Sequence, residues 1–129
     1  MGMVAEGSPR PLVLVVDDYE DARKMYAECL DASGFAVAQA ESGAEAVAKA
    51  LALRPALIVM DLALPGMDGW SATRAIKTDP RTAAIPVVAM TGHARSDAST
   101  AARAAGCDAF LTKPCLPDEV VDVVRRLLA

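Results

Sequence analysis

Short apolar runs alternate along the chain with longer segments that have the periodicity of a helix. Each run is four or five residues long and consists mostly of Val, Leu, Ile or Ala, which is typical of strands buried on both faces. A helical segment follows each run. The pattern therefore predicts five strand–helix units, with strands at residues 12–16, 37–40, 56–60, 87–90 and 109–112.

The helices are predicted from apolar positions on one face and from residues that end helices. In the first helix the apolar side chains recur at helical spacing, so we expect one buried face. Gly34 ends this helix, because glycine readily adopts the left-handed conformation of a helix C-terminus. The other helices are expected near residues 44–53, 70–78 and 97–105 and from residue 117 onward. The expected buried face of the first helix comprises Ala22, Met25, Tyr26, Cys29 and Leu30.

Five such units predict a single α/β domain. Strands that alternate with helices form a parallel sheet with right-handed crossovers and helices on both faces. Residues 12–129 are assigned to this domain, and residues 1–11, which contain Gly, Ser and Pro, are expected to form a disordered N-terminal tail.

Composition narrows the class of protein. Hydrophobic residues make up 53% of the chain and aromatic residues only 4%, so we expect an aliphatic core rich in alanine. The net charge of −4 disfavours direct binding to nucleic acid, which requires a basic surface. No apolar stretch approaches the ~20 residues that span a bilayer. Without a secretory signal pattern or a CxxC pair among the three cysteines, a cytoplasmic protein without membrane insertion is expected.

Charged residues follow three of the predicted strands. Asp17 and Asp18 follow the first strand, Asp61 follows the third, and Lys113 follows the fifth. In an open parallel sheet the carboxyl ends of the strands border one crevice, where ligands bind. Three carboxylates beside one lysine in that crevice would suit a divalent cation and a phosphoryl group.

Four short motifs at these strand ends carry a resemblance to a known family. They are VVDD at residues 15–18, MDLALPGMDG at 60–69, MTG at 90–92 and FLTKP at 110–114. In this order they resemble the receiver domain of two-component response regulators, over residues 12 to 128. The resemblance implies a flavodoxin-like, doubly wound (βα)5 fold with a five-stranded parallel sheet of order 2-1-3-4-5.

The resemblance also implies a metal site. Asp18 and Asp61 would bind Mg²⁺ directly, together with the main-chain carbonyl of Ala63, and Asp17 would act through a bound water. Mn²⁺ is an alternative ion. Hard oxygen ligands of this kind are those that Mg²⁺ prefers.

Phosphoryl transfer is the activity that the resemblance implies. Asp61 would be the phosphoacceptor, and a carboxylate is a competent nucleophile that gives an acyl phosphate. Lys113 would pair with Asp61 at rest and with a phosphate oxygen afterwards, and Thr91 would donate its hydroxyl to another phosphate oxygen. The Lys113–Pro114 peptide bond is expected to be cis, as in the family.

The expected partners are a sensor histidine kinase or a histidine phosphotransfer protein, which supplies the phosphoryl group, and a downstream effector protein. Thr91 and Phe110 would form the switch that carries the signal. The expected output surface consists of the predicted helix 97–105, the fifth strand and the last helix.

Three alternatives remain at this stage. A magnesium-dependent aspartyl phosphohydrolase would need a second Asp two residues after the nucleophile, where this chain has Ala63. The retention of five residues argues against a degenerate receiver that only binds partners: Asp17, Asp18, Asp61, Thr91 and Lys113. A receiver that is a fragment of a larger regulator or hybrid kinase would share all these features. The resemblance implies that Ala63 and His93 flank the path of the attacking water. Because Ala63 cannot orient a water or donate a hydrogen bond, slow autodephosphorylation is predicted rather than enzymatic turnover.

Overall fold

The protein forms a five-stranded parallel sheet whose strand order is β2-β1-β3-β4-β5. In a computed structural model, residues 10–62, 69–91, 106–113 and 115–129 are described, Thr91 by its backbone only. All four strand pairs are parallel, so the expected topology is confirmed. The strands are β1 (Leu12–Val16), β2 (Ala36–Ala40), β3 (Leu57–Asp61), β4 (Val87–Thr91) and β5 (Ala109–Thr112).

Four helices lie within the described residues. They are α1 (Glu20–Ala32), α2 (Gly43–Leu53), α3 (Gly69–Thr78) and the C-terminal helix (Pro117–Leu128). Each begins or ends within about a residue of the position predicted from the sequence. The predicted helix at 97–105 and residues 1–9 of the predicted tail lie outside the described residues.

The core has two halves, one on each face of the sheet. On one face, Leu14, Ile58 and Met60 pack with small side chains of α2 and α3, among them Ala46 and Ala72. On the other face, the alternate residues of the central strands pack against α1 and the C-terminal helix. The expected alanine-rich packing is therefore found on the α2–α3 face.

The buried face of α1 differs from the prediction. Met25 was expected inside but is 41% exposed, whereas Arg23 is only 7% exposed. Arg23 is drawn inward because its guanidinium donates hydrogen bonds to the main-chain carbonyl of Asp17 and to the side chain of Gln39. The buried face of α1 is therefore rotated relative to the predicted one, and it comprises Arg23, Tyr26, Ala27 and Leu30.

Gly34 ends α1 as predicted. Its φ of 104° lies in the left-handed region, which glycine adopts without steric cost. The chain then turns directly into β2, where Phe35 donates its amide to the Leu30 carbonyl. This tight return lets β2 pair with β1 along its whole length.

Candidate functional site

Three carboxylates meet at the carboxyl edge of the sheet. Asp17 and Asp18 follow β1, and Asp61 is the last residue of β3, the neighbouring strand. One carboxylate oxygen from each of the three residues lies within 4.8 Å of the other two. Parallel pairing of β1 and β3 brings these strand ends side by side, so the predicted convergence of the three acids is found.

Lys113 follows β5 and reaches across the edge of the sheet to the acids. Its Nζ lies 2.8 Å from Asp17 Oδ2 and 3.4 Å from Asp61 Oδ2. The expected pairing with Asp61 is thus present, but the shorter contact is with Asp17. Nothing in the sequence distinguished the two acids as partners, because both follow strands that end at the same edge.

Both the side chain and the backbone of Asp17 form hydrogen bonds to neighbouring elements. It is fully buried, and its Oδ1 accepts a hydrogen bond of 2.9 Å from the Tyr19 amide. Its own amide donates to the Ala40 carbonyl at the end of β2, and its carbonyl accepts from the Arg23 guanidinium at 3.1 Å. The turn from β1 into α1 is therefore fixed from both neighbouring elements.

The backbone at Asp61 is held by β4 and α3. Asp61 lies opposite Met90 in the register of β3 and β4, and the Leu62 amide donates to the Met90 carbonyl at 2.9 Å. Gly69, the first residue of α3, donates its amide to the Leu62 carbonyl. A Cβ atom at Gly69 would lie 2.3 Å from the Asp61 carbonyl oxygen, which only glycine avoids.

In the sequence, Gly69 is the last residue of the motif at residues 60–69, and that motif by itself did not indicate this steric role. The steric need for glycine arises from the path by which the chain returns from β3 to α3. A tight approach between Asp61 and a residue eight positions later has no signature in the local pattern. The DG pair at residues 68–69 was the only available signal.

The acidic cluster has the donors that a hard cation requires. Asp17 and Asp61 are buried, whereas Asp18 is exposed, so the cluster opens toward solvent on one side. Carboxylates this close repel one another unless a cation lies among them. The Lys113 ammonium supplies one positive charge, which does not balance the negative charge of three carboxylates, so the cluster can accept a cation as well.

The electrostatics of Lys113 follow from the same contacts. Burial disfavours its charged form, but the hydrogen bond to Asp17 and the charge of Asp61 outweigh that cost, so the pKa of Lys113 is raised. The lysine is therefore charged at neutral pH.

The remaining predicted site residues are described to different extents. Thr91, whose backbone alone is described, is the last residue of β4 and lies at the same edge of the sheet. Phe110 on β5 is half-buried and packs against the core on the α2–α3 face. Ala63, His93 and Pro114, and with Pro114 the expected cis peptide bond, lie outside the described residues.

The chain matches a known protein family. The family model for the response regulator receiver domain matches residues 13–125 of the chain. This span begins at the second residue of β1 and includes the other four strands. The chain belongs to the response regulator receiver family. The cluster of Asp17, Asp18 and Asp61 is then the acidic pocket of a receiver domain.

Individual relatives agree with this assignment. The polar-differentiation response regulator DivK of Brucella anthropi is 32% identical over 116 residues, which cover 90% of this chain and 94% of that protein. Among solved structures, the chemotaxis response regulator CheY4 of Vibrio cholerae superimposes with a TM-score of 0.88 at 28% identity, over 93% of this chain and all of the other. A putative response regulator from Chloroflexus aurantiacus gives the same TM-score at 30% identity and covers 93% of this chain and 98% of that one.

Membership in the family sets the general role of the domain. Receivers are signalling domains of two-component systems rather than classical enzymes, and they act between histidine kinases and downstream effectors. Within the part of the chain that the structure describes, none of the helices is both long and apolar enough to cross a membrane.

Proposed function

We propose that Asp61 is the residue that accepts the phosphoryl group in this receiver. The observation that carries the proposal is the position of Asp61 at the end of β3, within 4.8 Å of two further carboxylates and 3.4 Å from the Lys113 ammonium. It is also the acid at the centre of the sheet edge, flanked by β1 and β4.

The donor in this proposal is the phosphohistidine of a sensor histidine kinase or of a histidine phosphotransfer protein. An oxygen of the Asp61 carboxylate attacks phosphorus as the bond between phosphorus and the imidazole nitrogen breaks. The imidazole leaves with the electron pair of that bond, and Asp61 becomes an acyl phosphate. Such transfers depend mainly on positioning and on positive charge around the equatorial oxygens.

Bound Mg²⁺ would supply most of that positive charge. The carboxylates of Asp18 and Asp61 and the main-chain carbonyl of Ala63 are its proposed ligands, and Asp17 is proposed to act through a water. The three acids fit the ion, because Mg²⁺ takes hard oxygen ligands and retains several waters. Mn²⁺ would fit the same donors.

Lys113 and Thr91 are proposed to hold the transferred group. Lys113 bridges Asp17 and Asp61, and it would turn one of its N–H donors to a phosphoryl oxygen. The Thr91 hydroxyl would donate to another oxygen from the end of β4, the strand next to β3. The three donors of an ammonium group let Lys113 keep a carboxylate contact while it binds phosphate.

Thr91 and Phe110 are also proposed to act as the switch. They lie on β4 and β5, which are neighbours in the sheet. Movement of Thr91 toward the phosphoryl group would shift the balance between two positions of Phe110, a population shift rather than a new shape. The proposed output surface is formed by residues 97–105, β5 and the C-terminal helix, and its partner is a downstream effector protein.

Slow loss of phosphate is part of the proposal. Asp61 is followed two positions later by Ala63, whose side chain cannot orient a water or donate a proton. The same residue argues against a phosphohydrolase that turns over external substrates. The extent of the domain, residues 12–129 after a disordered tail at 1–11, and the cytoplasmic location stay predictions from the sequence.

The test is phosphorylation with acetyl phosphate and Mg²⁺, followed by intact mass spectrometry. We expect the mass of one phosphoryl group on the wild type and none on Asp61→Ala, with circular dichroism showing that the variant is folded. Asp31→Ala, which removes an exposed carboxylate at the end of α1, serves as the matched control and should be labelled as the wild type is. Undiminished labelling of Asp61→Ala would reject the assignment.

A further inference from the structure

The hydroxyl group of Tyr26 connects α1 to the segment that carries Lys113. Tyr26 is 4% exposed, and its Oη donates a hydrogen bond of 3.1 Å to the main-chain carbonyl oxygen of Cys115. Cys115 is also buried and lies two residues after Lys113. A single buried hydroxyl thus links the middle of α1 to the segment that follows Lys113, which is far away in the sequence.

Among the residues that the structure describes, the Tyr26 hydroxyl is the donor to the Cys115 carbonyl. Cys115 precedes the C-terminal helix, and the amides of Glu119 and Val120 in the first turn of that helix donate to the Leu116 carbonyl instead. Buried carbonyl groups are almost always paired in folded proteins, since burial without a partner is costly. Loss of the Tyr26 hydroxyl would therefore favour a shift of this backbone toward another donor.

The Cys115 side chain extends the contact from Tyr26 to β4. Its Sγ lies 3.6 Å from Tyr26 Oη and 3.8 Å from Met90 Sδ. Met90 is fully buried and pairs with Asp61 in the sheet. The segment after β5 is thus packed between α1 and the strand that borders Asp61.

We propose that Tyr26 is a positioning residue for Lys113. Its hydroxyl fixes the carbonyl of Cys115, and this in turn holds the Lys113 ammonium against Asp17 and Asp61. In the sequence only a proline separates Lys113 from Cys115. Proline restricts its own φ and the conformation of the residue before it, so this sequence leaves few backbone dihedral angles that could absorb a shift of Cys115 before it reaches Lys113.

The decisive variant is Tyr26→Phe, which removes the hydroxyl and keeps the ring in the core. One readout is the NMR spectrum of the Lys113 side chain at neutral pH, assigned by comparison with Lys113→Ala. We expect its signals to shift toward those of a solvent-exposed lysine as the ammonium moves away from the two carboxylates, which lie 2.8 Å and 3.4 Å from Nζ in the wild type. This readout does not depend on phosphorylation.

The second readout rests on the proposed function of Asp61. At saturating Mg²⁺, phosphorylation of Tyr26→Phe by acetyl phosphate should be about threefold to tenfold slower, since small displacements of a positioning group are costly in rate. In a Lys113→Ala background the same substitution should cause no further slowing, because the two effects share one route.

Thr82→Val is the matched control for a general loss of stability. Thr82 is 2% exposed and its hydroxyl also donates to a main-chain carbonyl, that of Ile76, at 2.7 Å. It lies before β4, at the opposite edge of the sheet. Thr82→Val should therefore lower the thermal midpoint without changing the NMR signals of the Lys113 side chain or the phosphorylation rate.

The outcomes separate the two proposals. If Tyr26→Phe left the NMR signals of the Lys113 side chain unchanged, or if Thr82→Val changed them equally, Tyr26 would not position the lysine. If the wild type took up no phosphoryl group, the proposed role of Asp61 would fail, while the NMR signals of Lys113 would still decide the role of Tyr26.

Discussion

Lys113 Nζ lies 2.8 Å from Asp17 Oδ2 and 3.4 Å from Asp61 Oδ2, and so joins the ends of two adjacent strands. Before any cation or phosphoryl group is bound, this ammonium is the positive charge that the described residues place against the two buried acids. It therefore has a structural function in the resting protein as well as its proposed function in transfer. The two can be separated by experiment, because only one of them requires Asp61 to react.

Lys113→Ala should destabilise the resting protein. The substitution leaves the carboxylates of Asp17 and Asp61 close together without the ammonium, and we expect a loss of about 1–3 kcal/mol in the free energy of unfolding. Urea unfolding measures this loss. Saturating Mg²⁺ should recover part of it, because a divalent cation offsets the same repulsion.

Lys24→Ala is the control for this experiment. Lys24 pairs with Glu20 one turn away on the exposed surface of α1, where solvent screens the charges, so this pair contributes little to stability. A comparable loss in the free energy of unfolding of Lys24→Ala and Lys113→Ala would mean that the Lys113 contacts stabilise the fold no more than an exposed ion pair does.

Asp18→Asn should have the opposite effect on stability. Neutralising one of three clustered carboxylates relieves repulsion, so in the absence of Mg²⁺ we expect the free energy of unfolding to rise by about 0.5–2 kcal/mol. By the proposed metal site, Mg²⁺ would stabilise the wild type by binding only the folded state, and we expect Asp18→Asn to lose most of this effect. Thermal unfolding with and without Mg²⁺ measures both changes, and an unchanged Mg²⁺ effect would exclude Asp18 as a ligand.

Ala63→Asn tests the proposed slow loss of phosphate. An amide side chain two residues after Asp61 could orient a water for attack on the acyl phosphate, so phosphate should be lost several-fold faster than from the wild type. The decay is followed after removal of acetyl phosphate, with Ala63→Val as a control that adds bulk without a polar group. Equal lifetimes for wild type and Ala63→Asn would mean that this position does not govern hydrolysis.

The sequence was sufficient for the fold and for the convergence of the site. The buried runs are continuous and apolar because parallel strands are covered on both faces. Since such strands end at one edge, the positions of Asp17, Asp61 and Lys113 along the chain implied their proximity in space. The strand order alone was enough to predict this proximity, although the exact register is set by pairing across the whole sheet.

Other features depended on contacts between distant residues. Arg23 was missed as a buried residue because hydropathy places arginine outside, whereas here two hydrogen bonds satisfy its guanidinium. The contact between Tyr26 and Cys115 joins residues 89 positions apart. Local sequence patterns do not indicate such pairs, because they depend on how the helices pack on the sheet.

Gly69→Ala should disturb both stability and phosphorylation. The added Cβ would lie 2.3 Å from the Asp61 carbonyl oxygen and 2.5 Å from Leu62 Cα, so α3 must move away or the end of β3 must shift. We expect a loss of about 1–3 kcal/mol, as for other overpacked sites, together with slower labelling by acetyl phosphate.

Gly34→Ala provides a matched comparison for Gly69→Ala. A Cβ at Gly34 would meet no heavy atom within 4 Å, but its φ of 104° strains any other residue. This variant should lose stability at the end of α1 and keep the labelling rate of the wild type. If both variants were labelled normally, the contact between Gly69 and Asp61 would have no bearing on the reaction.

Alkaline pH should destabilise the protein through Tyr26. Burial, and after it the contact with Cys115, raises the pKa of the Tyr26 phenol above its ordinary value of 10.0. A raised pKa means that the unfolded chain releases this proton first, so the stabilising contribution is complete below pH 10.0 and is lost as pH rises further. Lys113, whose pKa is raised above 10.5, adds a loss of the same sign at higher pH.

The two contributions can be resolved with Tyr26→Phe and Lys113→Ala. We expect the free energy of unfolding of the wild type to fall steeply above pH 10 in urea titrations. Tyr26→Phe should start from a lower stability and fall less steeply, since it has no phenol to titrate at that position. In a Tyr19→Phe background, where Tyr26 is the sole tyrosine, the absorbance change of the phenolate should appear only above pH 10. Phenolate formed below that pH in the folded protein would show that the hydroxyl is not held in the buried contact with Cys115.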